Sequence, residues 1–245
     1  MELEGIIFDV DGVIVETENI HRMAYNAMFK KSGIDVEWLP ADYAARLAQV
    51  HGQKLQPIVA KLGVEDEADC AKRLHDIKKR CYEELVDELG GESRLVPRPG
   101  VVRLIREALE SDVKLGLATV SPREGATKLL RYVLGESLLN EFSAFCTGYD
   151  VKQMKPAPDI YLGATAQLGT AAARTVAIED TQHGLESAKG AGLVCVITPS
   201  EYTVGGRFEG ADLVVPDLDH FNRDKPVDLA VLDDLVRAAQ TKDRV

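Results

Sequence analysis

The stretch GIIFDVDGVIVETE, residues 5–18, decides how the rest of the chain is read. It opens on Ile6-Ile7-Phe8, an unbroken apolar run of the kind found in parallel strands covered on both faces. Asp9 and Asp11 follow at once, two residues apart, so extended backbone turns both side chains to the same side. Glu16 and Glu18 add two more acids a short way on. Carboxylates crowded at a strand end repel one another and call for a compensating cation.

Working outward, five further apolar runs have the same character: residues 113–119 (VKLGLAT), 143–148 (SAFCTG), 174–180 (RTVAIED), 193–198 (LVCVIT) and 212–215 (DLVV). Helical patterns alternate with them. One stripe is made by Val101, Val102, Leu104, Ile105, Ala108 and Leu109. Another, Ala126 to Leu134, follows Ser121-Pro122-Arg123-Glu124, which reads as a capping box. The helix containing Leu185 and Ala188 is expected to stop at Gly190 to Gly192, and a last helix spans Leu229 to Val236. The alternation predicts an α/β fold, a doubly wound parallel sheet. Between the first and second strands, residues 16–92 carry only helical patterns, such as Cys70, Leu74, Ile77, Cys81 and Leu85. We therefore expect an α/β core of residues 1–15 and 93–245 and an all-helical insert of residues 16–92.

A net charge of −11, with 40 acids against 29 bases, argues against nucleic acid or anionic membrane as partners. No run approaches the ~18 apolar residues of a membrane span. The acidic start, Glu2 and Glu4, lacks the basic region of a signal peptide, so the cytoplasm is the expected location. The cysteines, Cys70, Cys81, Cys146 and Cys195, form no C-x-x-C pair and read as reduced core thiols.

Ligands of open α/β sheets bind beyond the carboxyl ends of the strands. Here those ends supply Asp9 and Asp11, then Thr119 and Ser121, then Lys155, then Glu179 and Asp180. Oxygen ligands suit Mg²⁺, a lysine suits a phosphate between carboxylates, and the backbone N–H groups after Thr119 (Val120, Ser121) suit phosphate oxygens. Two close carboxylates split their pKa values, so one can attack while the other carries a proton. Asp180 is equally placed to cap the following helix.

DVDGV with Thr17, Thr119 after its strand, Lys155-Pro156-Ala157-Pro158-Asp159 and Glu179-Asp180 together resemble the four motifs of the haloacid dehalogenase superfamily of phosphatases and phosphomutases. The insert resembles the helical cap of the β-phosphoglucomutase and phosphoglycolate phosphatase branch. VETENIHRMAYN (15–26), RPG (98–100), LESAKGAGL (185–193) and PSEYT (199–203) are similar to its CbbY-type group of sugar-bisphosphate phosphatases, associated with xylulose 1,5-bisphosphate. The resemblance implies a HAD-like Rossmannoid core and a Mg²⁺-dependent phosphatase acting on a small phosphorylated sugar. Asp9 is then the nucleophile that forms an aspartyl-phosphate, and Asp11 the general acid/base. Asp9, Asp11 and Asp180, with Glu179 behind, hold the metal, and Thr119 and Lys155 bind the phosphoryl group. Substrate selection falls to Glu16, His21, His51, Gly52, Lys54, His75 and Lys78 of a closing cap, with Val120, Ser121 and Arg123 on the core. The cap loop departs from the group's G-G-K-x-R: it reads His51-Gly52-Gln53-Lys54-Leu55, so a second phosphate depends on Lys54, Lys78 or Arg123. The alternatives are a phosphomutase, a phosphoglycolate phosphatase and a non-catalytic phosphate-binding protein. A monomer is expected, in the cytoplasm or, after loss of a transit peptide, in a plastid stroma.

Overall fold

In a computed structural model, which describes residues 1–47, 54–222 and 225–242, every apolar run becomes a strand. The chain begins β1 (Gly5–Phe8), α1 (Glu18–Lys31), α2 (Pro40–Leu47), α3 (Gln56–Leu62), α4 (Glu67–Gly91), α5 (Val101–Leu109) and β2 (Lys114–Thr119). It continues α6 (Arg123–Leu139), β3 (Ala144–Thr147), α7 (Asp159–Leu168), β4 (Thr175–Glu179), α8 (Gln182–Gly190), β5 (Val194–Ile197), β6 (Leu213–Val214) and α9 (Leu229–Lys242).

The six strands pair in parallel in the order β3-β2-β1-β4-β5-β6. This is the doubly wound order whose direction of winding reverses beside β1. Ile7, Ala118, Ala177 and Cys195 from four neighbouring strands meet Ile160, Tyr161, Ala164 and Leu168 of α7 and Leu185 and Ala188 of α8 in one buried cluster. On α5, Val101, Leu104, Ile105 and Ala108 are buried, whereas Leu109 at the end of its stripe is 40 % exposed. Each large side chain so buried contributes roughly 1.5–3 kcal/mol. All four cysteines are free thiols and buried.

The chain divides into two compact units, residues 1–16 with 95–245, and residues 17–94. The sequence reading put the first division after residue 15. Glu16 falls in the first unit, and Arg98 Nε of the same unit lies 3.1 Å from its carboxylate.

Within the second unit, the described residues form helices α1 to α4. Tyr25, Phe29, Trp38 and Tyr43 make its aromatic core, with Trp38 4.8 Å from Tyr25 and 5.0 Å from Phe29 between ring centroids. Asn26 fixes the Trp38 backbone, accepting from its N–H at 2.8 Å and donating to its carbonyl at 3.0 Å.

Two helix starts differ from the sequence reading. Pro122 occupies the N-cap of α6 and no side chain caps that helix. The Ser121 hydroxyl, expected to cap, donates instead to Asp11 Oδ2 at 2.7 Å. At α8 the cap is Thr181, whose hydroxyl accepts from Gly184 N at 3.0 Å, and this leaves Asp180 to the strand-end rim.

Candidate active site

Strand register builds the site. Phe8 pairs with Ile178 across β1 and β4, and Asp9 N donates to the Ile178 carbonyl at 3.0 Å, so Asp9 leaves the sheet beside Glu179. On the other side, Phe8 pairs with Leu117, which brings Thr119 to the same rim. Lys155 arrives from the loop between β3 and α7. Its buried Nζ donates at 2.6 Å to Asp9 Oδ1, at 2.6 Å to Glu179 Oε1 and at 2.9 Å to the Ala118 carbonyl.

Asp11 stands one turn further out and is less buried. Besides Ser121, Thr119 Oγ1 lies 3.5 Å from its Oδ2. The turn beneath it closes on itself, with Gly12 N donating to the Val15 carbonyl at 2.9 Å and Ile14 N to the Val10 carbonyl at 3.0 Å. Gly12 has φ +81°, and a Cβ there would lie 2.3 Å from Asp180 Oδ2. Only glycine satisfies both the left-handed backbone and the approach of Asp180.

Glu179 is held from all sides. Its Oε1 also accepts from the Tyr161 hydroxyl at 2.8 Å, and its Oε2 from Asp180 N at 3.1 Å and Thr181 Oγ1 at 3.3 Å. A Cβ on Gly184 would overlap the carboxylate of Glu179, so position 184 in the first turn of α8 admits only glycine. Tyr161 had no role in the sequence reading. It lies six residues after Lys155 on the first turn of α7, and its ring sits 4.9 Å from Lys155 Nζ. Placing the start of α7 at Asp159 would have aimed Tyr161 at the sheet's rim.

Asp9, Glu179 and Asp180, all buried, present carboxylate oxygens within 4.8 Å of one another. Among the described residues, the carboxyl groups of Asp9, Asp11, Glu179 and Asp180 gather at the rim around the Lys155 ammonium. Burial pushes the Asp9 carboxyl well above the usual range; Lys155 draws it down, while Glu179 and Asp11 push it further up. Burial works against the Lys155 ammonium, but Asp9 and Glu179 outweigh it and raise its pKa. An all-oxygen donor set with surplus negative charge fits a hard divalent cation.

The remaining sequence candidates fall in several places. Ser121 N donates to Thr119 Oγ1 at 3.1 Å, and the Val120 side chain packs on the core cluster. Arg123, expected to reach substrate, is a strut on β3: it donates to the Phe145 carbonyl at 2.6 Å and to Asp150 at 2.7 Å. In the helical unit, Lys78 Nζ lies 2.9 Å from His21 Nδ1, and His21 stacks on Tyr82 at 4.4 Å. Lys54 Nζ donates to Tyr43 Oη at 3.3 Å, and His75 is exposed on α4. His51 and Gly52 lie outside the described residues.

Residues 3–192 match the model of the haloacid dehalogenase-like hydrolases. The chain belongs to that family. Among curated members of known name, it is 38 % identical over 219 residues to protein CbbY of Rhodobacter capsulatus, covering 89 % of this chain and 95 % of that one. A crystal structure of CbbY from Rhodobacter sphaeroides in complex with phosphate superposes with a TM-score of 0.80 at 33 % identity, covering 94 % of this chain and 99 % of that one. A mutant of the same CbbY in complex with xylulose 1,5-bisphosphate gives a TM-score of 0.77 at 33 % identity, covering 88 % and 94 %. The chain is a CbbY-like haloacid dehalogenase-type phosphatase, a phosphoric monoester hydrolase.

Proposed function

We propose that this phosphatase hydrolyses a small sugar bisphosphate, xylulose 1,5-bisphosphate first among them, through a phosphorylated Asp9. The observation that carries the reaction is the Lys155 bridge. One buried ammonium touches both Asp9 and Glu179 at 2.6 Å, which fixes an acceptor carboxylate and a phosphate-binding cation together at the rim. The substrate class rests on the likeness to a CbbY whose structure holds xylulose 1,5-bisphosphate.

In the first step an Asp9 carboxylate oxygen bonds to phosphorus and the ester P–O bond breaks. The proton on Asp11 moves to the departing oxygen and leaves it as an alcohol. In the second step a water oxygen bonds to phosphorus, Asp11 takes a proton from that water, and the Asp9–phosphorus bond breaks to give inorganic phosphate. Splitting one difficult displacement this way lowers each barrier. Lys155 and the Thr119 hydroxyl hold the phosphoryl oxygens, where fixed charge contributes most. Glu179, with its oxygens occupied by Lys155, Tyr161, the Asp180 N–H and the Thr181 hydroxyl, positions Lys155. Asp9 and Asp180 would hold Mg²⁺, which would supply positive charge to the phosphoryl oxygens and let Asp9 ionise. Selection among sugars we assign to Glu16 and to the helical unit's Lys54, Lys78, His21 and His75.

The test is phosphate release with Mg²⁺ from xylulose 1,5-bisphosphate, ribulose 1,5-bisphosphate, phosphoglycolate and glucose phosphates. The reading predicts a preference of about 10⁴ or more in kcat/KM for one bisphosphate, the scale on which a site built to hydrogen-bond its substrate rejects an analogue lacking that group. It also predicts loss of turnover on chelation. Isomer formation from β-glucose 1-phosphate in excess of phosphate release would replace it with a mutase. Undiminished turnover in chelator would remove the metal.

A further inference from the structure

We infer that Arg98 is a positioning residue for Asp11: it locks the turn that carries the acid/base carboxylate and ties that turn to the loop after β5. The inference rests on the acid/base role proposed for Asp11.

Arg98 lies in the segment between the helical unit and α5, in the RPG stretch (98–100) whose residue pattern assigns it no role. Its side chain is nonetheless only 10 % exposed. A guanidinium offers five N–H donors in a planar fork, and all three nitrogens find acceptors. Nε meets the Glu16 carboxylate at 3.1 Å. Nη1 donates to the Gly12 carbonyl, to the Thr198 carbonyl at 2.8 Å and to Thr198 Oγ1 at 3.2 Å. Nη2 donates to the carbonyls of Pro199 at 2.8 Å and Pro216 at 3.3 Å. The Arg98 main-chain N–H adds a bond to the Ile14 carbonyl at 2.8 Å.

Three of these contacts, to Gly12, Ile14 and Glu16, fall on the turn that follows Asp11. That turn holds its shape through short internal bonds, and Arg98 supplies its external anchor. The contacts to Thr198 and Pro199 hold the neighbouring loop, whose Ser200 Cβ would lie 3.2 Å from a Cβ on Gly12. Asp11 is thus fixed from two directions, its carboxylate by Ser121 and its backbone by the Arg98-anchored turn. A lysine at 98 keeps the positive charge but cannot reach acceptors on three loops at once.

An acid/base group contributes roughly 10²–10⁴ to rate, and the contribution depends on its placement. Its loss is selective. Benzyl phosphate departs as a basic alkoxide that needs a proton, whereas 4-nitrophenyl phosphate departs as a stable phenolate that does not. We predict that Arg98→Lys lowers kcat/KM for benzyl phosphate about tenfold more than for 4-nitrophenyl phosphate, with Arg98→Gln showing the same bias. The ratio of the two substrates on one preparation cancels the folded fraction, so lost stability alone cannot produce the bias. Equal loss on both substrates, or none, in either variant overturns the inference. Asp11→Asn separates this from the underlying reading: it should show a larger bias of the same sign. A bias in Asp11→Asn without one in the Arg98 variants sinks the role of Arg98 alone. No bias in Asp11→Asn sinks the acid/base assignment itself.

Discussion

Lys155 puts one positive charge where two buried carboxylates meet, and the site's electrostatics turn on it. Its 2.6 Å contacts to Asp9 and Glu179 offset charges that burial would otherwise expel. Removing one partner of such a cluster leaves charge buried without compensation, at a cost of about 3–5 kcal/mol. Lys155→Met should therefore lower stability by about that amount in urea unfolding and abolish phosphate release. A variant as stable as the wild type would show that the carboxylates are neutralised by other means. Arg98 and Glu179 belong to the same scale. Neither is assigned to touch substrate, yet each holds a residue that is.

At the scale of elements, α9 is tied to the chain's start within the α/β unit. Asp233 on α9 accepts from Leu3 N at 2.9 Å and Glu2 N at 2.5 Å, and pairs with Arg237 at 2.7 Å. Burial pushes its pKa up, but the two N–H donors and Arg237 outweigh that and leave it lowered. The sign follows: a carboxyl whose folded pKa is depressed stabilises the fold above its unfolded value, ~3.9. That stability is lost as pH falls through the lower folded value. Asp233→Ala should cost about 1.5–3 kcal/mol at neutral pH. The gap to wild type should close in strong acid. A gap that persists below both pKa values would mean packing, not charge, is at work.

Strands were the elements most legible in the sequence, because a sheet covered on both faces demands unbroken apolar runs. The order of strand ends then put Asp9, Thr119, Lys155 and Glu179 on one rim before any coordinates. What stayed hidden depends on competition for the same side chain. Ser121 has the chemistry of a cap and serves Asp11, because the rim carboxylate lies within reach of its hydroxyl. Asp180 yields the cap of α8 to Thr181. Tyr161 passes for an ordinary apolar position until its hydroxyl is seen on Glu179. Arg98 binds mostly backbone carbonyls, which leave no mark in the residue pattern. Arg123 was one of the cations on which a second phosphate was expected to depend, and here it donates to Asp150 and the Phe145 carbonyl.

Across the whole molecule, a net charge of −11 coexists with a site proposed to bind an anion. The two are compatible because the field that matters is local: Lys155 is buried at the rim, and a bound divalent cation would offset much of the rim's negative charge. Among the described residues no helix is long and apolar enough to cross a membrane. The chain divides into an α/β unit, which carries the rim of acids, and a helical unit. The central claim is that the phosphoryl group passes through Asp9. Brief reaction with xylulose 1,5-bisphosphate and Mg²⁺, acid quench and peptide mass spectrometry test it directly. The account predicts a phosphoryl group on Asp9 in the wild type, and neither that adduct nor turnover in Asp9→Asn. Phosphate release that survives in Asp9→Asn, or a phosphoryl group trapped on another residue, would contradict it.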